Sequence, residues 1–435
     1  MKIQDNIGKI TWSFLDKFIV VIYGVITLIQ MRHLDPIEFG YFASILVLVN
    51  YILTLSDSFA LQGLIQFAGN KADIKKINLI SLILHLLIMI FLPIIIVIIQ
   101  ISISKYNGNN YLDNFIYYLP IMTLASLPRA FTLKLLVRDL RFKDFFFVNF
   151  IFFFAQSLFF FYHIYKYNNF NADKMIHFYI YSSILSSIFS LLITSNSLKF
   201  SKEGTMSWRE YIKFATPMTL TSFFHSIPKF LDLFILGITL NPQIAKIVIG
   251  TYSSAKTLFR ISEQAVEASY GLLYPTTIRN LAKNNNEGII SLFTKAVSFI
   301  FVLFLGSFLV MEMGLTELIF KYLPIKYAPA VGQFNLMLVA VLFMPFGLVS
   351  ILITASGKPK LTFYIVAVSS IASLITFFIT GIMQKSELIP LGIIVYYAIF
   401  GGLSFYYFKR NYGFPISRLF RAFADTKNFI TNRFK

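Results

Sequence analysis

Cysteine is missing from all 435 residues, which removes a disulfide framework, a zinc–thiolate site and a cysteine nucleophile together. Charge is scarce too: Asp, Glu, Lys and Arg make up 13% of the chain, about half the share in soluble domains. No glycine-rich phosphate loop opens a helix, and neither HExxH nor GxSxG occurs, so the chain carries no enzyme signature. Without a nucleotide site, ATP-driven transport by this chain alone is not expected, and neither a cofactor nor a metal is called for. An aromatic-basic RNA motif is also missing, which argues against nucleic acid as the partner of a chain with net charge +18. Nor does the N-terminus read as a cleavable signal. Lys2 and Lys9 precede an apolar segment of full span length that lacks a small-residue cleavage site, so its retention is expected.

What the chain does have is apolar length. It is 57% hydrophobic with 50 Phe and 24 Tyr, a membrane composition. Apolar runs fall near 11–31, 41–63, 79–101, 114–137, 145–165 and 176–196, and again near 213–236, 245–272, 290–311, 331–354, 361–383 and 388–408. Each approaches the ~20 residues a helix needs to cross a bilayer. The runs are continuous rather than alternating, which argues against a barrel. An all-α integral membrane protein of about 12 transmembrane helices is expected.

Lys and Arg cluster on one side of this topology. They occupy the N-terminus, the loops at Lys71/Lys75/Lys76, Arg138/Arg141/Lys143, Lys199/Lys202/Arg209, Arg279/Lys283 and Lys358/Lys360, and the C-terminal tail. The positive-inside rule then places both termini in the cytoplasm. The tail from Lys409 to Lys435 reads as a basic segment lying on anionic lipid. The two halves echo each other: Leu34-Asp35-Pro36 followed by Gly40-Tyr41-Phe42-Ala43-Ser44 matches Leu240-Asn241-Pro242 followed by Gly250-Thr251-Tyr252-Ser253-Ser254. Six helices per half give repeats of the same orientation about an axis along the membrane normal. The expected division is an N-lobe over 1–200, a C-lobe over 201–408 and a tail over 409–435, with the lobes around a central cavity.

Charged residues at membrane depth cost several kcal/mol and usually face a bundle interior or a water-filled cavity. Lys256, Arg260, Glu263 and Glu267 are spaced i, i+4, i+7, i+11, so on a helix they share one face. His225, Lys229 and Asp232 share a face of the seventh span, and Asp16 and Lys17 mark the first. Asn50, Thr54 and Asp57 align on the second, and Arg129 follows Pro128 in the fourth. Lys17, Lys229, Lys256 and Arg260 are the candidate cations for an anionic substrate. Asp16, Asp232, Glu263 and Glu267 are the candidates for ion coupling. Each has a plainer role to be weighed: snorkelling at a membrane mouth for Asp16/Lys17, an interfacial cap for Asp57, and structural pairs for Lys229–Asp232 and Arg260–Glu263.

The stretch Met31-Arg32-His33-Leu34-Asp35-Pro36-Ile37-Glu38-Phe39-Gly40-Tyr41-Phe42 resembles the R-x-L-G-P-E-x-[FY]-G element of the polysaccharide flippases, the O-antigen (Wzx-like) group of the multidrug/oligosaccharidyl-lipid/polysaccharide (MOP) exporter superfamily. Leu136-Val137-Arg138-Asp139-Leu140-Arg141-Phe142-Lys143 is similar to its Q-R-E-L-R-F-K element. Further matches are Phe214-Ala215-Thr216-Pro217, Phe230 to Gly237, Gly250 to Ala255, Lys326 to Ala330 and Ala355 to Lys360. Asp35 stands where the family has glycine, and Gln243-Ile244-Ala245-Lys246 lengthens the approach to Gly250. The resemblance implies two six-helix lobes, alternating access, and a polyprenyl-pyrophosphate-linked oligosaccharide moved from the cytoplasmic to the outer leaflet of a bacterial inner membrane. Other polysaccharide-assembly proteins are possible partners alongside the membrane lipids. Two other classes compete. A multidrug/cation antiporter of the same superfamily calls for an acidic cavity. A membrane-embedded polymerase or ligase calls for a large external loop, whereas no loop on that side exceeds about 20 residues.

Overall fold

The computed structural model describes residues 3–68, 72–107, 112–167 and 169–413. Among them, twelve helical rods follow one another: α1 (Ile3–Arg32), α2 (Pro36–Gln66), α3 (Ile74–Asn107), α4 (Phe115–Arg138), α5 (Phe142–Lys166), α6 (Ala172–Thr194), α7 (208–239), α8 (Pro242–Ala282), α9 (Asn286–Lys321), α10 (325–355), α11 (Pro359–Ile382) and α12 (Ser386–Tyr412). Eight of these are long and apolar enough to cross a membrane, and α10 makes a ninth when its two arms, bent by 43°, count as one span. The remaining three are α1, α7 and α8. All three carry polar residues that the sequence marks out, and those residues lower their apolarity. The expected turn at Asn107-Gly108, the Lys71 loop and the tail beyond Gly413 lie wholly or partly outside the described residues.

Helix starts follow local chemistry. Asn171, Ser207 and Asn285 each accept a hydrogen bond from the backbone N–H three residues on, at 3.1, 3.1 and 2.9 Å, which satisfies one of the free donors of the first turn. Pro36 and Pro359 occupy first-turn positions where the missing N–H costs nothing. Within the spans, α2, α7 and α9 each contain a π-helical turn, at Asp57–Leu61, Ile227–Leu231 and Met311–Leu315. Such one-residue insertions often occur at functional positions.

The chain divides into two compact units, Met1–Ser253 and Ser254–Lys435. In the first, α6 packs on α4 and α5 through a stripe of small polar residues. Ser126 lies 3.1 Å from the Tyr179 hydroxyl, Thr132 donates to Ser190 at 2.7 Å, and Ser187 donates to the Ala125 carbonyl at 2.9 Å. Small side chains let helix backbones approach closely, and their hydroxyls bond across the contact, the expected means of association where lipid removes the hydrophobic drive. The segment 195–207 is tied to the ends of α3 and α4. Arg138 donates to Asn78 at 2.6 Å and to Asp139 at 2.8 Å, and the Ser197 hydroxyl donates to Asp139 at 2.8 Å. Burial alone would raise the Asp139 carboxyl, but those hydrogen bonds and the Arg138 and Arg141 charges hold it below the usual carboxylate range. In the second unit α11 packs along α12, where Ser373 donates to the Gly392 carbonyl at 2.7 Å.

One expectation is corrected here. Asp57 does not cap the end of its rod: the helix runs on to Gln66, and Asp57 lies within it, at the start of a π turn. Lys134 of α4 meets it at 2.7 and 2.9 Å. The π turn adds a residue without ending the helix, and the facing lysine neutralises the carboxylate there.

Candidate functional site

The site is built from α8 outward. Asn241 accepts from the Gln243 N–H at 3.1 Å and Pro242 begins the helix, which then runs unbroken to Ala282. Near its start Gly250 lies against the backbone of α2: a methyl group there would overlap the Pro36 carbonyl, and one on Gly40 would come within 3.0 Å of the Gly250 nitrogen. The two glycines that the sequence echo equates therefore touch.

Beyond that contact, Lys256, Arg260, Glu263 and Glu267 all fall on the same helix, as their spacing predicts. Their environments differ. Lys256 is 2% exposed and Glu263 9%, Arg260 is half-buried and Glu267 exposed. Tyr397 of α12 donates to Glu263 at 2.7 Å, and Gln264 donates to Glu267 at 3.3 Å. Among the described residues no ion pair joins Arg260 to Glu263, so the structural pair weighed from the sequence is not formed. Tyr270 meets Ser350 at 3.2 Å, and the Phe259 ring packs 6.2 Å from that of Tyr397. The tyrosines at 396 and 397 were passed over in the sequence, where only their place in an apolar run with paired hydroxyls could have drawn notice.

On α7, Asp232 follows the π turn directly and is fully buried. Its carboxylate accepts from the Tyr252 hydroxyl at 2.7 Å and from the Leu233 N–H at 2.9 Å. Lys229, within the π turn, is half-buried. In α1 the neighbours separate: Lys17 is exposed, whereas Asp16 is 5% exposed and accepts from Asn149 at 2.6 Å. Asn149 in turn accepts from Arg129 at 2.6 Å, and the guanidinium stacks 4.0 Å over the Phe152 ring. A relay Asp16–Asn149–Arg129 thus joins α1, α5 and α4, with the Arg129 Nε enclosed and unpartnered. Asn149 was not singled out in the sequence, although it interrupts a long phenylalanine run.

Each unit thus holds a buried carboxylate bonded by a tyrosine hydroxyl, Asp232 by Tyr252 in the first and Glu263 by Tyr397 in the second, and Lys256 is a buried cation of the second. Residues 29–323 match the model of a family described as polysaccharide biosynthesis protein. The chain belongs to this polysaccharide biosynthesis family. A comparison with curated protein sequences finds no match. Solved structures share its fold: it is similar to the inward-facing conformation of a multidrug resistance MATE family transporter of the MOP superfamily, with TM-score 0.73, 13% identity, and 93% of this chain and 94% of that one covered. The outward-facing conformation of such a transporter gives TM-score 0.64 at 13% identity over 93% and 94%. A MOP superfamily transporter from Pyrococcus furiosus Vc1 (DSM3638), for which a reversed binding-pocket polarity suggests a different function, gives 0.60 at 13% over 93% and 92%. The family member described here is thus a multi-pass, all-α membrane protein by its apolar helices, and its fold is that of the MOP superfamily transporters just named.

Proposed function

We propose that the protein flips a polyprenyl-pyrophosphate-linked oligosaccharide, of the O-antigen repeat-unit kind, from the cytoplasmic to the outer leaflet of a bacterial inner membrane. The observation that carries this reading is Lys256, 2% exposed on the 41-residue helix α8, one turn from Arg260. The passenger's lipid tail stays in the bilayer, while its pyrophosphate and sugars would each cross hydrocarbon at a cost of several kcal/mol if left without partners. Lys256 and Arg260, helped by Lys229 and Lys17, supply charge-assisted donors to the pyrophosphate. Tyr270, Tyr396 and Tyr397 supply hydroxyls suited to sugars. Transport proceeds by alternating access of lobes 1–200 and 201–408, with both termini and the basic tail 409–435 in the cytoplasm. Asp16, Asp232, Glu263 and Glu267 are the carboxylates available for ion coupling, with Asp16 balanced through Asn149 by a fixed cation, Arg129.

A charge-assisted contact to phosphate is worth roughly 1.5–3 kcal/mol, so each loss lowers affinity about ten- to a hundredfold. Lys256→Ala and Arg260→Ala are expected to abolish surface polysaccharide in a complemented deletion strain while membrane levels stay normal. Arg260→Lys recovers only part of the output, because the planar fork is lost. Wild-type export from both alanine variants overturns the reading. The second reading, a multidrug/cation antiporter, is favoured by the fold shared with the multidrug resistance MATE transporters. It predicts drug resistance on expression that Glu263→Gln removes and Lys256→Ala leaves intact.

A further inference from the structure

We infer that a polar pocket in the second unit, at the ends of α8, α10 and α12 and the start of α9, binds the phosphate headgroup of an anionic membrane lipid. The pocket has a volume of about 530 Å³, and its lining includes Leu281, Asn286, Ser356, Lys358, Tyr407 and Asn411. A tight turn places the lysine. Gly357 adopts a left-handed φ of 75°, so its N–H reaches the Thr354 carbonyl at 3.1 Å and the next N–H, of Lys358, reaches Ile353 at 3.2 Å. This closes α10, and Pro359 starts α11 at once. Lys358 is thereby held at the rim with its ammonium 5.4 Å from the centre of the Tyr407 ring. The Asn411 amide is fixed beside it by a 2.8 Å bond to the Tyr407 carbonyl.

The surroundings select for negative charge. Across 279–287, 355–360 and 407–413 stand Arg279, Lys283, Lys358, Lys360, Lys409 and Arg410, against a single acid, Glu287. All six basic residues are exposed. They lie at helix ends, where a bilayer presents its headgroups, and tyrosine beside lysine is the usual composition of that layer. Basic pockets between transmembrane helices on the positively charged side are suited to phospholipid headgroups. Size separates a lipid from free phosphate. The volume falls within the roughly 300–1,000 Å³ typical of sites for larger ligands, so a phosphodiester with its glycerol fills it better than a lone ion. The site involves none of the transport residues on α7 and α8, and its test is independent of the flippase reading.

The test uses the full chain purified in neutral detergent and titrated with short-chain phosphatidylglycerol, phosphatidylcholine or inorganic phosphate. Binding is followed by native mass spectrometry and by thermal shift. Phosphatidylglycerol is expected to bind and raise the melting temperature, with phosphatidylcholine and phosphate weaker by about tenfold or more, and Lys358→Gln is expected to cut phosphatidylglycerol affinity about tenfold. Lys360→Gln, which leaves the pocket lining intact, should stay within about twofold of wild type. If Lys358→Gln lowers the melting temperature without lipid, Asn411→Ala reads the same pocket from α12. Equal effects of Lys358→Gln and Lys360→Gln would mean diffuse surface attraction and overturn the site. So would phosphatidylcholine matching phosphatidylglycerol, or inorganic phosphate doing so at equal concentration.

Discussion

Arg129 illustrates how a single buried cation organises its surroundings. Its guanidinium holds Asn149, which holds Asp16, so one carboxylate on α1 and one cation on α4 are joined through an amide on α5. At membrane depth, removing one partner of such a set leaves the others desolvated and uncompensated, at roughly 3–5 kcal/mol. Arg129→Met keeps the packing on Phe152 and should lower the melting temperature in detergent sharply. Asp16→Asn in that background should restore part of the loss, with a coupling of about 0.5–3 kcal/mol. Strictly additive effects of the two changes would show that the relay is not a unit. The sequence pointed to Asp16 and Arg129 because charge in an apolar run is conspicuous. It could not join them, because the joining residue is a neutral amide and the contact spans more than a hundred positions. The same limit hid Tyr397 behind Glu263.

At the scale of helices the sequence was more informative, because a bilayer-length apolar run has few alternatives. All twelve expected spans coincide with a rod, and the ends differ by up to ten residues, at Ala282 and Lys321, where the helix continues beyond its apolar stretch. The π turns were not legible: nothing in Asp57–Leu61 marks an inserted residue, and its consequence was a misplaced Asp57. The glycine echo was legible as a pattern, though its physical reason emerges only in three dimensions. Gly250 is where α8 approaches the Pro36 carbonyl so closely that no side chain fits. Gly250→Ala should therefore force α2 and α8 apart, with a loss of about 1–3 kcal/mol read as a lower melting temperature. Gly24→Ala, with open space around it, serves as the control and should be neutral or slightly stabilising. An unchanged melting temperature for Gly250→Ala would mean the two helices have room that the close approach denies.

Composition alone would not send three of the twelve rods through a membrane, and two of them, α7 and α8, carry most of the marked charges. Among the described residues, eight of the twelve rods are apolar enough as single helices and α10 as a bent pair, whereas α1 falls short and so do α7 and α8. Insertion of helices of this kind is usually secured by polar contacts inside the bundle, such as the Asp232 bonds to Tyr252 and Leu233. If α7 and α8 both cross, the connection between them lies opposite the N-terminus and the loop after α8 returns to its side. The cysteine-free chain makes this directly measurable. Single cysteines replacing the exposed residues Asn169, Gln243 and Lys283 can be probed in spheroplasts with a membrane-impermeant maleimide. Asn169→Cys, after α5, and Gln243→Cys, at the start of α8, are expected to react from outside. Lys283→Cys, after α8, should react only once the membrane is permeabilised, in keeping with the basic loops being retained inside. Protection of Gln243→Cys would leave the α7–α8 hairpin on the cytoplasmic side. That result would remove Lys256 and Arg260 from any path across the bilayer, and the proposed pyrophosphate site with them.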